Sequence, residues 1–164
     1  MGYNGKKCNF VGNLKMFSGV NSITLDPKNR ITIPTKYRDD LLLDSNNKVI
    51  ITIESPKYLI IYPEINWLIV KEKIQNLSTS SHPLVKSYQR LVLGYADKVE
   101  LDKVGRVLIS SVIKDLVQLD RELVLVGLGN RFELWNKSAW DNETKQALNN
   151  SPADLAELLN GFSL

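Results

Sequence analysis

Apolar and polar residues alternate over Ile23–Leu25 and again over Val99–Leu101, the period of a half-buried strand. In both places a tight turn follows, and then a second alternating pair, Ile31/Ile33 or Val107/Ile109. A short helix is expected next. Pro34 opens it at a first-turn position in one case, and Ser110 or Ser111 caps it in the other. The first of these helices is expected to turn Tyr37, Leu41 and Leu42 inward. Strands are expected at Val49–Ile53 and Leu59–Tyr62, and at Leu123–Gly127 and Arg131–Trp135. A helix begins near Glu64 with Trp67, Leu68, Val70 and Ile74. The polar stretch Leu77–Pro83 interrupts the pattern. Leu84, Val85, Tyr88, Leu91 and Val92 then recur at helical spacing. After Asn149–Pro152 a short terminal helix over Ala153–Leu159 completes the reading.

The pattern repeats because the sequence does. Leu25-Asp26-Pro27-Lys28-Asn29-Arg30-Ile31-Thr32-Ile33 aligns with Leu101-Asp102-Lys103-Val104-Gly105-Arg106-Val107-Leu108-Ile109, 76 residues later, and Leu43-Asp44 aligns with Leu119-Asp120 at the same offset. Leu59–Tyr62 and Trp67 align with Phe132–Trp135 and Trp140 at an offset of 73. The division that follows is an extension over 1–15, a first unit over 16–83, a second over 84–148 and a tail over 149–164. Each unit is too small to complete a sheet core alone, so an α+β fold is expected in which the halves fold into one another.

Composition changes this picture little. The 164 residues are 43% hydrophobic and 24% charged, within the globular range. One cysteine and one histidine permit neither an internal disulfide nor a zinc site of Cys/His type. No apolar run approaches the length of a membrane span and no signal core opens the chain, which points to a cytosolic protein. The net charge of +3 gains meaning only from its placement. Lys6, Lys7 and Lys15 carry all the charge of residues 1–15. Residues 16–90 hold ten Lys/Arg against seven Asp/Glu, and residues 91–164 hold eight against eleven. The first half is therefore the better match for an anionic partner.

The repeated Asp-x-x-x-Arg turns, Asp26/Arg30 and Asp102/Arg106, are the strongest chemical feature. The aspartate suits two tasks: accepting from turn backbone N–H groups, and orienting the guanidinium fork. The pair then either closes a hairpin as a structural bridge or presents a fixed arginine to phosphate or guanine. Lys28, Lys36 and Arg38 gather around Arg30 in sequence, whereas Lys103 and Lys114 accompany Arg106 with Asp97, Glu100 and Asp115 nearby to dilute them.

Met16-Phe17-Ser18-Gly19, Leu25-Asp26 and Asn29-Arg30-Ile31-Thr32-Ile33-Pro34-Thr35-Lys36-Tyr37-Arg38 resemble the opening of the MraZ family of division and cell-wall cluster regulators. Leu101–Arg106, Gly127 and Arg131–Trp135 are similar to that family's second half. The resemblance runs from Met16 to about Trp140. It implies two tandem AbrB-like units forming a swapped-hairpin β-barrel with flanking helices. It also implies a cytoplasmic, nucleoid-associated, non-enzymatic transcriptional regulator without cofactor, assembled as a homo-oligomeric ring on promoter direct repeats of double-stranded DNA. By position, Arg30 and Arg106 become the DNA-facing arginines, Asp26 and Asp102 their supports, and Lys28 and Arg38 phosphate neighbours. The chain departs from the pattern at Asn29, where the family usually has glycine, and at Ser110, where unit one has Pro34. Residues 1–15 lie before the family's usual start and read as a tag or an alternative start.

Other features carry less chemistry. Gly127-Leu128-Gly129-Asn130-Arg131 lacks a third glycine and a following helix, so it reads as a β-turn rather than a nucleotide loop. His82 falls in the polar linker, and Cys8 in the extension. Trp67, Trp135 and Trp140 are expected in the core or in a subunit contact, and the acids Asp39, Asp40, Asp120 and Glu122 near helix ends on a solvated rim. No small-molecule substrate or membrane is called for. The rival reading is an antitoxin-like module that binds a protein through the same barrel; the short, weakly acidic tail Ser151–Leu164 argues against it.

Overall fold

The computed structural model describes residues 16–78, 81–150, 155, 158 and 159. The extension and most of the expected terminal helix lie outside the described residues. In chain order the elements of the first half are β1 (Phe17–Thr24), β2 (Arg30–Thr32), α1 (Thr35–Ser45), β3 (Lys48–Ser55), β4 (Tyr58–Pro63) and α2 (Glu64–Gln75). Next come α3 (Pro83–Gly94), β5 (Asp97–Glu100), β6 (Arg106–Leu108), α4 (Ser111–Leu116), β7 (Glu122–Gly129), β8 (Phe132–Asn136) and α5 (Lys137–Asn149).

The two units do not form separate sheets. One antiparallel sheet runs β1-β7-β8-β4-β3-β5, and β2 with β6 forms a two-stranded ribbon. Exchanging each strand for its repeat partner reverses the six-strand order onto itself, so the protein has an internal pseudo-two-fold. The register places the axis. Ile31 pairs with Val107, its own repeat equivalent, while Arg30 pairs with Leu108 and Thr32 with Arg106. On the large sheet Ile60 pairs with Glu133, again equivalents at the offset of 73.

Burial follows the same symmetry. Beneath the ribbon, Leu25, Ile31, Ile33, Tyr37, Leu41, Val49, Ile51, Leu59 and Ile61 join Leu101, Val107, Ile109, Ile113, Val117, Leu123, Leu125, Phe132 and Leu134 in one core. Each half supplies what the other lacks, because alternate residues of a strand reach only one face. On the opposite face of the large sheet, α2 and α3 cover Ile50, Ile60 and Tyr62, and α5 lies over Val124, Val126 and Trp135. Between these clusters runs a polar seam. The nearly buried Glu133 accepts from Arg131 Nη2 at 3.2 Å and from Trp135 Nε1 at 3.0 Å. Arg131 Nη1 donates to the Tyr62 hydroxyl at 3.2 Å.

Several local expectations change. Pro34 is the residue before the first turn of α1 rather than within it, and Thr35 begins the helix. Ser110 does cap α4, its hydroxyl accepting from the Ile113 N–H at 3.4 Å. Leu42 is 50% exposed: the buried stripe of α1 runs through Tyr37, Leu41 and Ser45 at spacing i, i+4, which turns Leu42 to solvent. Asp39 and Asp40 lie in the body of α1 rather than near its ends. His82 caps α3, its Nδ1 accepting from the Leu84 N–H at 3.2 Å. Trp67 and Trp135 are buried, while Trp140 is half-buried edge-on against Trp135, with ring centroids 5.7 Å apart.

Candidate nucleic-acid interface

The two Asp-x-x-x-Arg turns are built alike from the backbone outward. In the first, the Asp26 N–H donates to the Arg30 carbonyl at 2.9 Å and the Asn29 N–H to the Asp26 carbonyl at 3.0 Å. Asp26 Oδ1 then accepts from the Lys28 and Arg30 N–H groups at 2.9 and 2.8 Å. Asp26 Oδ2 accepts from Arg30 Nε at 2.8 Å. In the second, Asp102 Oδ1 accepts from the Val104 and Arg106 N–H groups, both at 2.9 Å, and Asp102 Oδ2 from Arg106 Nε at 2.7 Å. One carboxylate thus satisfies the turn with one oxygen and grips a guanidinium with the other. Because the grip uses Nε, it leaves the terminal amino groups of each guanidinium for other acceptors.

The carboxylates register this. The Arg30 backbone N–H, followed by the Arg30 guanidinium, holds Asp26 below the usual carboxylate range. The same donors from Arg106 bring Asp102 down to about 2.

The turns sit at opposite ends of the ribbon, which the axis through Ile31 and Val107 divides. Two further bonds lock them together: the Ile109 N–H donates to the Asn29 carbonyl at 2.8 Å, and the Ile33 N–H to the Gly105 carbonyl at 2.9 Å. Ile31 and Val107 point into the core. Alternation therefore sends Arg30, Thr32, Arg106 and Leu108 to the outer face of the ribbon. The structure brings the two arginines onto one surface, which a reading of the linear sequence leaves open. Thr32 and Leu108 were not singled out from the sequence, although standing two residues after each arginine placed them on the same face.

The remaining candidates fall in different places. Lys28 is exposed at the tip of the first turn. Arg38 is half-buried and donates from Nε to the Ile33 carbonyl at 2.8 Å, lying over Gly105 of the second turn. Gly105 has φ +82, and a Cβ there would run into the Arg38 guanidinium. Asn29, its counterpart, adopts φ 58 with a side chain, a conformation asparagine tolerates better than most residues. Lys36 places its ammonium 4.7 Å from the centre of the Tyr37 ring.

Among the described residues no group of three or more His, Cys, Asp or Glu gathers as a metal site, and no helix is long and apolar enough to cross a membrane.

A family model described as "MraZ protein, putative antitoxin-like" matches residues 16–85 and 92–160. The "Transcriptional regulator MraZ" of Chromobacterium violaceum is 46% identical over 149 residues, covering 91% of this chain and all of the relative. The proteins of the same name from Thiobacillus denitrificans and Pseudoalteromonas atlantica are 38% and 40% identical, with the same coverage.

Proposed function

The chain belongs to the MraZ family, and on that footing we propose that it is a transcriptional regulator that binds DNA sequence-specifically through its paired Asp-x-x-x-Arg loops. The observation that carries the reading is the ribbon. Two arginines, each fixed by a carboxylate, share one outward face about a local two-fold. A two-stranded antiparallel ribbon is narrow enough to enter the major groove, where a fixed guanidinium meets guanine O6 and N7. Lys28 and the terminal nitrogens of Arg38 would contact phosphate, which adds affinity without sequence information. Asp26 and Asp102 act by holding the loops, not by touching DNA.

The interleaved strands, with β1 of the first unit against β7 of the second and β5 of the second against β3 of the first, support a swapped-hairpin barrel as the fold type. One ribbon presents only a few cations, so one protomer should bind weakly. A homo-oligomeric ring placing several ribbons on tandem direct repeats would multiply that affinity. The proposed setting is the cytoplasm and nucleoid, at promoter repeats of the division and cell-wall gene cluster, where occupancy blocks or redirects initiation. No catalytic step or cofactor enters this reading.

A gel shift with the DNA upstream of the protein's own gene tests it. Wild type should shift the fragment, and Arg30→Ala and Arg106→Ala should weaken the shift. Undiminished binding by both variants would refute the loop assignment. Failure of folded wild type to bind would favour the antitoxin-like reading, which the family model's description keeps in view. Light scattering that finds only monomers would remove the ring.

A further inference from the structure

The internal two-fold matches Lys28 with Val104 and Thr32 with Leu108. Across the ribbon Leu108 stands opposite Arg30 and Thr32 opposite Arg106, so the end that carries Lys28 also presents Leu108, and the end that carries Lys103 and Val104 also presents Thr32. Val104 is 57% exposed and Leu108 52%. Neither belongs to the core clusters. The turn does not require them, since the equivalent turn keeps the same hydrogen bonds with lysine in place of valine. Each aliphatic side chain stands in water next to a fixed arginine and is open to an apolar partner. Arg30, Arg106 and Lys28 make the occupant of this face a polyanion. In the major groove of DNA the apolar group on display is the C5-methyl of thymine.

We propose that Val104 and Leu108 are specificity residues that pack against thymine C5-methyl groups, Val104 beside the base pair met by Arg106 and Leu108 beside the one met by Arg30. Each protomer then reads an asymmetric element, because the two-fold counterparts of Val104 and Leu108 are Lys28 and Thr32. The inference rests on the DNA-binding reading and names what that surface distinguishes. A nearly two-fold ribbon with identical flanks would favour a palindrome. Unequal flanks give the element a direction, as tandem repeats in one orientation require.

The test uses the full chain and two duplexes of its own upstream DNA, one natural and one with deoxyuridine replacing thymidine, a change that removes the methyl and leaves base pairing intact. Wild type should bind the uracil duplex about fourfold more weakly for each contacted methyl, the equivalent of roughly 0.8 kcal/mol per buried methyl-sized group. The double variant Val104→Lys/Leu108→Thr, which copies the first unit's flank at exposed positions, should bind both duplexes alike while keeping its circular dichroism and its dependence on Arg30. Equal binding of both duplexes by wild type, with arginine dependence intact, would overturn this inference and leave the proposed function standing. So would a double variant that keeps full methyl sensitivity. If that retention came with a change in particle mass by light scattering, the two side chains would belong to a contact between copies of the chain. Absence of binding to either duplex would overturn both readings together.

Discussion

The loops at 26–30 and 102–106 are the same object made from different residues. Their ion pairs measure 2.8 and 2.7 Å, and their carboxylates accept the same two backbone N–H groups. Yet Pro27-Lys28-Asn29 and Lys103-Val104-Gly105 match at no position. A turn held through backbone donors constrains the aspartate that accepts, the arginine that is gripped and the left-handed position before the arginine, Asn29 or Gly105. Lys28 and Val104 contribute only an N–H group to the aspartate, which every residue but proline has, so their side chains are free to diverge. The geometry is duplicated; the chemistry on display is not.

The comparison is broken most severely by removing both guanidiniums. Each bidentate arginine contact to guanine contributes about 1–3 kcal/mol, so Arg30→Ala/Arg106→Ala should lower affinity for the upstream DNA by at least about thirtyfold, measured by fluorescence anisotropy. A smaller loss would mean that the ribbon is not the reading surface. The single variants sharpen the contrast. Arg30→Ala should cost roughly tenfold or more, and Arg106→Ala less, because residues 16–90 hold the excess of cations and residues 91–164 the excess of acids. Equal losses would show that the two loops contact DNA alike and that the charge asymmetry is incidental.

Backbone substitution separates the loops in stability rather than binding. Gly105→Ala forces a side chain into a left-handed conformation and against Arg38, and should cost about 2 kcal/mol in a thermal or urea melt. Asn29→Gly should change stability by only a few tenths. Similar losses from both would mean that Arg38 does not depend on Gly105. Exchanging Lys28→Val with Val104→Lys moves a cation from one loop to the other. The salt dependence of binding should flatten by about one ion for the first change alone and recover with the second. A slope unmoved by Lys28→Val would remove that lysine from the phosphate contacts.

The smallest expected effect is of pH. Both aspartates have depressed values in the fold, so their locks stabilise it fully above the ordinary value of 3.8 and are lost as pH falls through the folded value, about 2 for Asp102. Between pH 8 and 5 the aspartates should contribute no pH dependence. The Asp102 carboxyl carbon signal in NMR should stay flat until below pH 4, and titration near 4 would show that the grip on Arg106 is absent in solution.

Much of this was legible in the chain because duplication doubled every signal. The strands through Ile31/Ile33 and Val107/Ile109 and the turn chemistry of Asp26 and Asp102 follow from local rules. So does the serine cap at Ser110. What local rules miss is which strand meets which. Nothing within Phe17–Thr24 says that it pairs with Glu122–Gly129 rather than with its own neighbour, because register between distant strands is set by complementary burial. The inward assignment of Leu42 failed for a related reason. A run of three leucines, Leu41–Leu43, cannot all face one core, and only packing selects Leu41. At the site, the individual arginines were legible and their shared face was not. Seeing that face requires knowing that Ile31 lies opposite Val107.

That central pair also bears on how the surface survives in a cell. Two separate copies of one such unit would part on dilution, and their association would depend on concentration. Joined in one chain, the halves meet at an effective concentration on the order of millimolar, so the ribbon stays assembled even at very low copy number. Separate copies would also present two identical loops, or a statistical mixture if two variants were made. The fused chain always delivers one loop with lysine at its third position and one with valine there, in fixed stoichiometry and fixed orientation.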